Sequence, residues 1–399
     1  MTGVPTRARL PLVSLVLTLS LAFSAAACGP PPEAADHVRR GDAALEAGRY
    51  GQALAAYTRA RELSPGDPAV QRALMRARVH LVASEPSRIS TEMADEARYE
   101  AGLLLETEPT RKAAYLTALA NLAMHAGNAD EAKAKLEEAV KADPQSALAH
   151  AALGAILIGK KETLTQAKAE LTAALQIKPD HMGALLGLAQ IRASEGDLAG
   201  AEEKLLAALK VRDDFGARMS LGGVYIQLQK PGDAVEQFQR AVQLDPKSPD
   251  ALGSLGQALL STGRPEEAER ALRSALEIRP AEPTAMALGF ALVRQKKADQ
   301  ALDMFARVLS RDPGAAPAHY GAGMAAEVLG QTEQALRHYR ALLGLKTTGT
   351  DKQTLSEMQQ DAARRVAALE AAAAPASASA AASAGPPGAP GADPLGNRR

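Results

Sequence analysis

The feature that most restricts the fold of this chain is a 34-residue unit, written twice in succession between Phe215 and about Glu282. Matching residues occupy seven offsets of the unit. In the first copy they are Leu221, Gly222, Tyr225, Ala234, Phe238, Ala241 and Pro246. In the second copy they are Leu255, Gly256, Leu259, Ala268, Leu272, Ala275 and Pro280. Self-similarity at this period predicts stacked helical hairpins.

Residue size explains why each unit should form two helices. Small residues such as Gly222 and Ala241 are placed where two antiparallel helices must approach closely. Large apolar residues at i, i+3 and i+4 spacing fill the space to the next hairpin. Pro246 and Pro280 are expected to end the second helix of each unit, because proline cannot donate a backbone hydrogen bond and disfavours helix in the residue before it.

This pattern resembles the tetratricopeptide repeat, a helix–turn–helix binding scaffold. The resemblance covers residues 34–349 and implies an all-α fold, a right-handed α-solenoid of about nine helical hairpins. The second repeat, residues 68–112, is irregular because roughly ten residues are inserted around 83–90. We expect either a surface loop or a lengthened hairpin there. In the fifth repeat Asp213 stands where proline is expected, which predicts a longer helix or a looser turn.

Two segments follow the repeats. Residues 350–374 are predicted to form a capping helix that covers the last apolar surface of the solenoid. The apolar face of that helix would carry Leu355, Met358, Val366 and Leu369. Residues 375–399 consist almost entirely of Ala, Pro, Ser and Gly, so a disordered tail is expected.

The N-terminus reads as a targeting segment. Arg7 and Arg9 precede an apolar run from Leu10 to Phe23, which is too short to span a membrane as a helix. Small residues then lead to Cys28, the only cysteine in the chain. The AAAC segment resembles the lipobox of bacterial lipoproteins, which implies a signal peptide at residues 1–27, lipidation of Cys28 and an anchor linker at residues 28–33. The alternative is ordinary secretory cleavage with an incidental cysteine.

Motifs for chemistry are not found in the sequence. The 46 basic and 46 acidic residues give a formal net charge of zero, which argues against a nucleic-acid partner. No phosphate-binding loop, dinucleotide fingerprint or HExxH motif occurs, and the seven histidines show no ligand spacing. We therefore expect no catalytic residue, no cofactor, no metal and no small-molecule substrate. An enzyme that uses the repeats as a substrate-binding arm is a further alternative, but the chain has no spare segment long enough for a catalytic domain.

The resemblance also implies a peptide groove, because ligands of this family usually contact positions 5, 9 and 12 of successive first helices. The candidate groove residues carried over in this way are Asn121, Met124, Ile158, Leu186, Gln190, Met219, Ile226, Gln257, Leu260, Met286, Phe290, Val293, Tyr320 and Met324. This neutral, methionine-containing set suits a helical or extended apolar peptide. The alternative is that these residues pack between neighbouring helices. Of the Lys, Asn and Arg clamp that grips peptide carboxylates in the family, only Asn121 would remain.

Taken together, the resemblances imply a non-enzymatic, membrane-anchored scaffold that assembles or recruits envelope proteins. The arrangement resembles lipoproteins that assist type IV pilus secretin assembly or exopolysaccharide export. Because Gly29 follows the cysteine in place of Asp, the resemblance implies the periplasmic face of the outer membrane in a diderm bacterium. A soluble periplasmic adaptor or regulator that sequesters one partner is the alternative.

Overall fold

A computed structural model of the protein describes residues 31–86, 90–346 and 352–373. Within these ranges the chain forms nineteen α-helices, two short 3₁₀ turns and no β-strand. The predicted all-α class of stacked helical hairpins is therefore confirmed. The chain divides into two compact units, the first ending at Glu195 and the second beginning at Gly196.

Unit 1 contains four consecutive helical hairpins and one further helix. Its helices are α1 (Pro32–Glu46), α2 (Tyr50–Leu63), α3 (Pro68–Ser84), α4 (Thr91–Thr107), α5 (Lys112–His125), α6 (Ala129–Ala142), α7 (Ala147–Leu157), α8 (Leu164–Ile177) and α9 (Met182–Ser194). From α1 to α18, odd-numbered helices are the first helices of the repeats and even-numbered helices are the second. Within this unit α1, α3, α5 and α7 each pack against the second helix of the same hairpin, and α3 also packs against α5 and α7 against α9.

Unit 2 begins with one second helix, continues with four hairpins and ends with a single long helix. Its helices are α10 (Leu198–Val211), α11 (Phe215–Gln227), α12 (Pro231–Leu244), α13 (Pro249–Ser261), α14 (Pro265–Ile278), α15 (Glu282–Arg294), α16 (Ala298–Arg311), α17 (Ala316–Val328), α18 (Thr332–Gly344) and α19 (Lys352–Ala373). The first helices pack on one another here too, as α13 does on α15 and α15 on α17.

In most hairpins, including the four of unit 2, close approach of the two helices depends on a glycine of the first helix. A Cβ added at Gly222 would lie 2.5 Å from Cε1 of the Phe238 ring on the second helix, well inside van der Waals contact. In the next repeat a Cβ at Gly256 would lie 2.4 Å from Cγ of Leu272. The small-residue offset in the repeat is thus explained by the bulk of the side chain that faces it.

The irregular second repeat is a lengthened hairpin. Helices α3 and α4 each contain 17 residues, whereas the equivalent helices α11 and α12 of unit 2 contain 13 and 14. Ala83 and Ser84 belong to α3, so part of the insertion extends that helix. Ser90 then caps α4 by accepting a hydrogen bond from the backbone N–H of Met93 at 3.2 Å. Residues 87–89 lie outside the described residues.

Asp213 stands where most repeats have proline, and it forms ion pairs with two arginines. Helix α10 ends at Val211, so it does not run on through the missing proline. The Asp213 carboxylate accepts a hydrogen bond from Arg218 at 2.8 Å and another from Arg240 at 2.6 Å. The bond from Arg218, followed by the bond from Arg240, holds the pKa of Asp213 below its usual range. These two ion pairs thus help to hold the turn that follows α10.

Helix α19 lies where the capping helix was predicted. Its apolar side chains, Leu355, Met358, Val366 and Leu369, pack with the buried Tyr339 and Leu342 of α18. The Gln359 amide donates to the backbone carbonyls of Leu342 and Leu345, both at 3.0 Å, which satisfies acceptors at the end of α18.

The predicted signal peptide, Cys28 and the predicted tail at residues 375–399 lie outside the described residues. Of the helices that the structure describes, none combines the length and apolar character needed to cross a bilayer.

Candidate functional site

In unit 2 the first helices α13 and α15 line an open cavity of about 390 Å³. We call it the unit 2 cavity. Its lining residues are Gln257, Leu260, Ser261, Pro283, Met286, Ala287, Phe290 and Arg294. Four of them, Gln257, Leu260, Met286 and Phe290, are predicted groove residues. The other four, Ser261, Pro283, Ala287 and Arg294, were missed because they lie outside positions 5, 9 and 12 of the repeat.

Two contacts outside the unit 2 cavity hold side chains that line it. The Phe290 ring meets the ring of Phe305 edge-on, with centroids 5.2 Å apart and an interplanar angle of 68°. Arg294 donates a hydrogen bond to the backbone carbonyl of Leu260, near the end of α13. The same carbonyl also accepts from the backbone N–H of Gly263 at 3.1 Å, so Arg294, the one charged lining residue, ties α15 to the end of α13. The cavity thus presents mainly apolar surface.

Unit 1 has a comparable cavity of about 340 Å³ between first helices and the end of α3. We call it the unit 1 cavity. It is lined by Ala83, Ser84, Pro86, Asn121, Met124, Leu136, Leu148, Ala151, Ala152, Ala155, Ile156, His181 and Gly183. Asn121 and Met124 are the predicted groove residues among them. His181 caps α9, with its Nδ1 accepting from the backbone N–H of Ala184 at 3.3 Å. Burial, then the charge of Lys178, lowers the pKa of His181, which suits this acceptor role.

Asn121 has a structural task that the sequence did not reveal. Its side-chain amide donates to the carbonyl of Val82 at 2.8 Å and to that of Ala83 at 3.0 Å. Both amide protons are therefore committed to acceptors at the end of α3. A carboxylate clamp would need those protons, so Asn121 in this arrangement leaves only its acceptor oxygen to a ligand.

The other predicted groove residues differ in exposure. Met124 is 43% exposed and Ile226 39%, and Gln190 and Gln257 are also exposed. Leu260 and Val293 are buried, with 9% and 7% exposure. The remaining residues are half-buried, a set made up of Ile158, Leu186, Met219, Met286, Phe290, Tyr320 and Met324. Groove and packing are therefore not exclusive at these positions, because the side chains pack between first helices and are still partly exposed.

Helix α19 packs against α17 and contacts side chains at the groove positions of the last repeat. The Tyr320 hydroxyl donates to the Asp361 carboxylate at 2.7 Å, and Arg365 pairs with Glu327 at 2.7 Å. The guanidinium of Arg365 also lies over the Tyr320 ring, 6.0 Å from its centroid. Tyr320 is therefore committed to the capping helix.

Models of the tetratricopeptide repeat match residues 117–163, 164–217, 219–283 and 286–349, which is more than half of the chain. A second tetratricopeptide repeat model matches residues 34–67. The chain belongs to the tetratricopeptide repeat family. Proteins of this family bind other proteins, and they are generally non-enzymatic scaffolds. The predicted scaffold role is supported at this level.

Two curated proteins and two solved structures are similar to parts of this chain. The human protein O-mannosyl-transferase TMTC3 (Homo sapiens) is 29% identical over 161 residues, covering 38% of this chain and 18% of that protein. Anaphase-promoting complex subunit 7 of Arabidopsis thaliana is 29% identical over 122 residues, covering 31% and 22%. The chain thus spans about a fifth of the length of these curated relatives.

Among solved structures, Pseudomonas aeruginosa pilF is 21% identical, with 55% of this chain and 96% of that chain covered and a TM-score of 0.47. PilW, described as a widely conserved type IV pilus biogenesis factor, is 19% identical, with coverages of 50% and 94% and a TM-score of 0.45.

Unit 1 also contains a cluster of buried polar side chains around His80, which contributes to the packing of the helices. His80 is 9% exposed and stacks on Tyr50, with ring centroids 5.4 Å apart. Its Nε2 accepts from Arg111 at 3.4 Å, and Tyr115 beside it donates to Glu108 at 2.7 Å. Burial, followed by the charge of Arg111, lowers the pKa of His80 to about 4. Across the described residues, no group of three or more His, Cys, Asp or Glu side chains could hold a metal ion.

Proposed function

We propose that this protein is a non-enzymatic scaffold that is held at a bacterial membrane and recruits or assembles envelope proteins. In this proposal the first-helix surfaces bind an apolar segment of the partner, and the lipid on Cys28 fixes the scaffold in place. The observation that carries the binding step is the unit 2 cavity, where Gln257, Met286 and Phe290 of two successive repeats converge on one open pocket.

The chemistry of the cavity selects the kind of segment. Its lining offers thioether, aromatic and aliphatic surface, and its Arg294 is engaged with a backbone carbonyl. Methionine adapts its shape to different apolar side chains, and a shallow apolar site between helices suits an amphipathic helix or an extended apolar strand. Arg294 is the single charged residue of this lining, so most of the surface offered to a partner is apolar.

A matched pair of serines can test the binding step. Ser261 lines the unit 2 cavity, whereas Ser274 is exposed on the second helix α14 of the same repeat. Ser261→Glu should weaken capture of the partner in crosslinking and pull-down from membranes, because it places a charge in the apolar pocket. Ser274→Glu should leave capture unchanged. Equal capture by wild type and Ser261→Glu would remove the cavity from the proposal.

The anchoring step needs its own variant. Support for it comes from the sequence alone, in which a basic, apolar and small-residue leader ends at a lone Cys28. Cys28→Ser should release the protein from the membrane fraction and lose envelope assembly proteins from the captured set. If Cys28→Ser captures the same soluble partner as wild type, the protein is a free periplasmic adaptor or regulator, and the anchored reading is wrong.

A further inference from the structure

The last hairpin of unit 2 brings together two histidines that the sequence separates by 19 positions. His319 lies on α17 and His338 on α18, and their Nδ1 atoms are 3.2 Å apart. The Nε2 of His319 donates to the backbone carbonyl of Pro313 at 3.0 Å. That contact places the proton of a neutral His319 on Nε2, so its Nδ1 lone pair points at His338.

We propose that His319 and His338 form a chelating site for a divalent transition metal of the zinc class, with both Nδ1 atoms as ligands. Zinc–imidazole bonds of about 2.0–2.1 Å that start from two nitrogens 3.2 Å apart meet at an angle of roughly 100°, which is close to tetrahedral. Metal-binding histidines usually donate their other ring N–H to a carbonyl, carboxylate or water, as His319 does to Pro313. The remaining coordination positions are left to water or to a donor from another molecule.

The state of the second ring fits this role. His338 is half-buried on α18 beside His319, and a neutral imidazole is the form that coordinates metals. Within the described part of the chain, Nε2 of His338 makes no hydrogen bond, so the proton that leaves Nδ1 when the metal binds can be carried there. Imidazole ligands favour Zn²⁺, Ni²⁺ or Cu²⁺ over Mg²⁺ or Ca²⁺.

The same repeat position in unit 1 provides a matched control. His150 also contacts a proline carbonyl, with Nε2 3.1 Å from the oxygen of Pro144. Its Nδ1, however, lies 2.6 Å from a carboxylate oxygen of Glu170. Both ring nitrogens of His150 therefore face oxygen acceptors, and no second imidazole is available for chelation.

The test is calorimetric titration of Zn²⁺ into the full chain carrying Cys28→Ser, which removes the only thiol. We expect one zinc-dependent binding event that weakens at least tenfold in His338→Gln and in His319→Gln and is unchanged in His150→Gln. Failure to bind Zn²⁺ below about 1 mM, or equal weakening in all three variants, would overturn the proposal.

A measurement without histidine variants guards against misfolding of those proteins. Nitrogen-15 spectra of the imidazoles should show the Nδ1 resonances of two histidines shifting together as Zn²⁺ is added. Hydrogen exchange in residues 316–344 should slow at the same time, because the metal joins α17 to α18. Two shifted histidines without slower exchange in this hairpin would place the zinc elsewhere and refute the assignment.

Discussion

Two adjacent glycines on α11 allow the packing argument to be tested on one helix. A Cβ at Gly222 would lie 2.5–2.8 Å from three atoms of the Phe238 ring, whereas a Cβ at Gly223 meets no atom within 4 Å. Phe238 is buried, with 4% exposure, and cannot swing into solvent. The same substitution, glycine to alanine, should therefore stabilise the protein at position 223 and be neutral or destabilising at position 222.

The magnitudes follow from two terms. Replacing a helical glycine by alanine stabilises the helix by up to about 1 kcal/mol. Overpacking a well-filled contact costs about 1–3 kcal/mol. Gly223→Ala should thus gain close to the full helix term, and Gly222→Ala should lie about 1–3 kcal/mol below it in local stability. In the Phe238→Ala background the clash is gone, so Gly222→Ala should become stabilising even though that background is itself weakened by the cavity.

Hydrogen exchange of peptides from residues 215–244 is the appropriate assay, because repeat proteins open one or a few hairpins at a time. Urea unfolding followed by helical circular dichroism provides the global comparison. If Gly222→Ala and Gly223→Ala shift exchange by the same amount, the close approach of α11 to Phe238 does not limit packing. A Gly222→Ala penalty that persists in the Phe238→Ala background would also refute the reasoning.

Three further predictions concern burial, capping and backbone strain. Because the pKa of His80 is lowered from 6.5 to about 4, the unfolded chain binds the proton more readily, and stability should fall as pH drops through that window. The free energy of unfolding, measured by urea titration, should be lower by about 2 kcal/mol at pH 5. His80→Phe should abolish this pH dependence, and the exposed control His125→Gln should keep it. Arg365→Ala should lower the free energy of unfolding by about 1 kcal/mol. It removes the partly exposed ion pair with Glu327, so hydrogen exchange in α17 should become faster. Unchanged exchange in α17 would contradict the capping role of α19. Gln229 adopts a φ of 58°, so Gln229→Gly should raise the unfolding midpoint by relieving up to about 1 kcal/mol of left-handed strain, and a lower midpoint would argue against it.

The repeat frame was predictable because its signals are local. Gly256, Leu272 and Pro280 recur at fixed offsets, and each acts within its own hairpin through size or through a missing N–H. The all-α class follows from such signals without knowledge of the tertiary contacts. Helix α19 was predictable for the same reason, since its apolar residues recur with helical spacing.

Which side chains meet across neighbouring helices could not be predicted in this way. Asn121 bonds to carbonyls 38 and 39 positions earlier in the chain, and Arg294 to one 34 positions earlier. His319 meets His338 because a hairpin places them side by side, although their spacing matches no ligand motif. In each case the residue type is compatible with several partners, and only the packing of particular helices selects one of them.

These contacts also determine how a partner should be recognised. Asn121 in the unit 1 cavity commits both amide protons, and Arg294 in the unit 2 cavity one guanidinium N–H, to carbonyls at the ends of neighbouring first helices. The remaining lining of each cavity is mainly apolar, so affinity should come from buried surface, which salt does not screen, and little from charge pairs, which salt does screen. Binding of the captured partner should therefore change by less than about threefold between 50 mM and 500 mM salt, measured by calorimetry with the purified partner. A drop of tenfold or more would mean that charged residues outside these cavities carry the recognition.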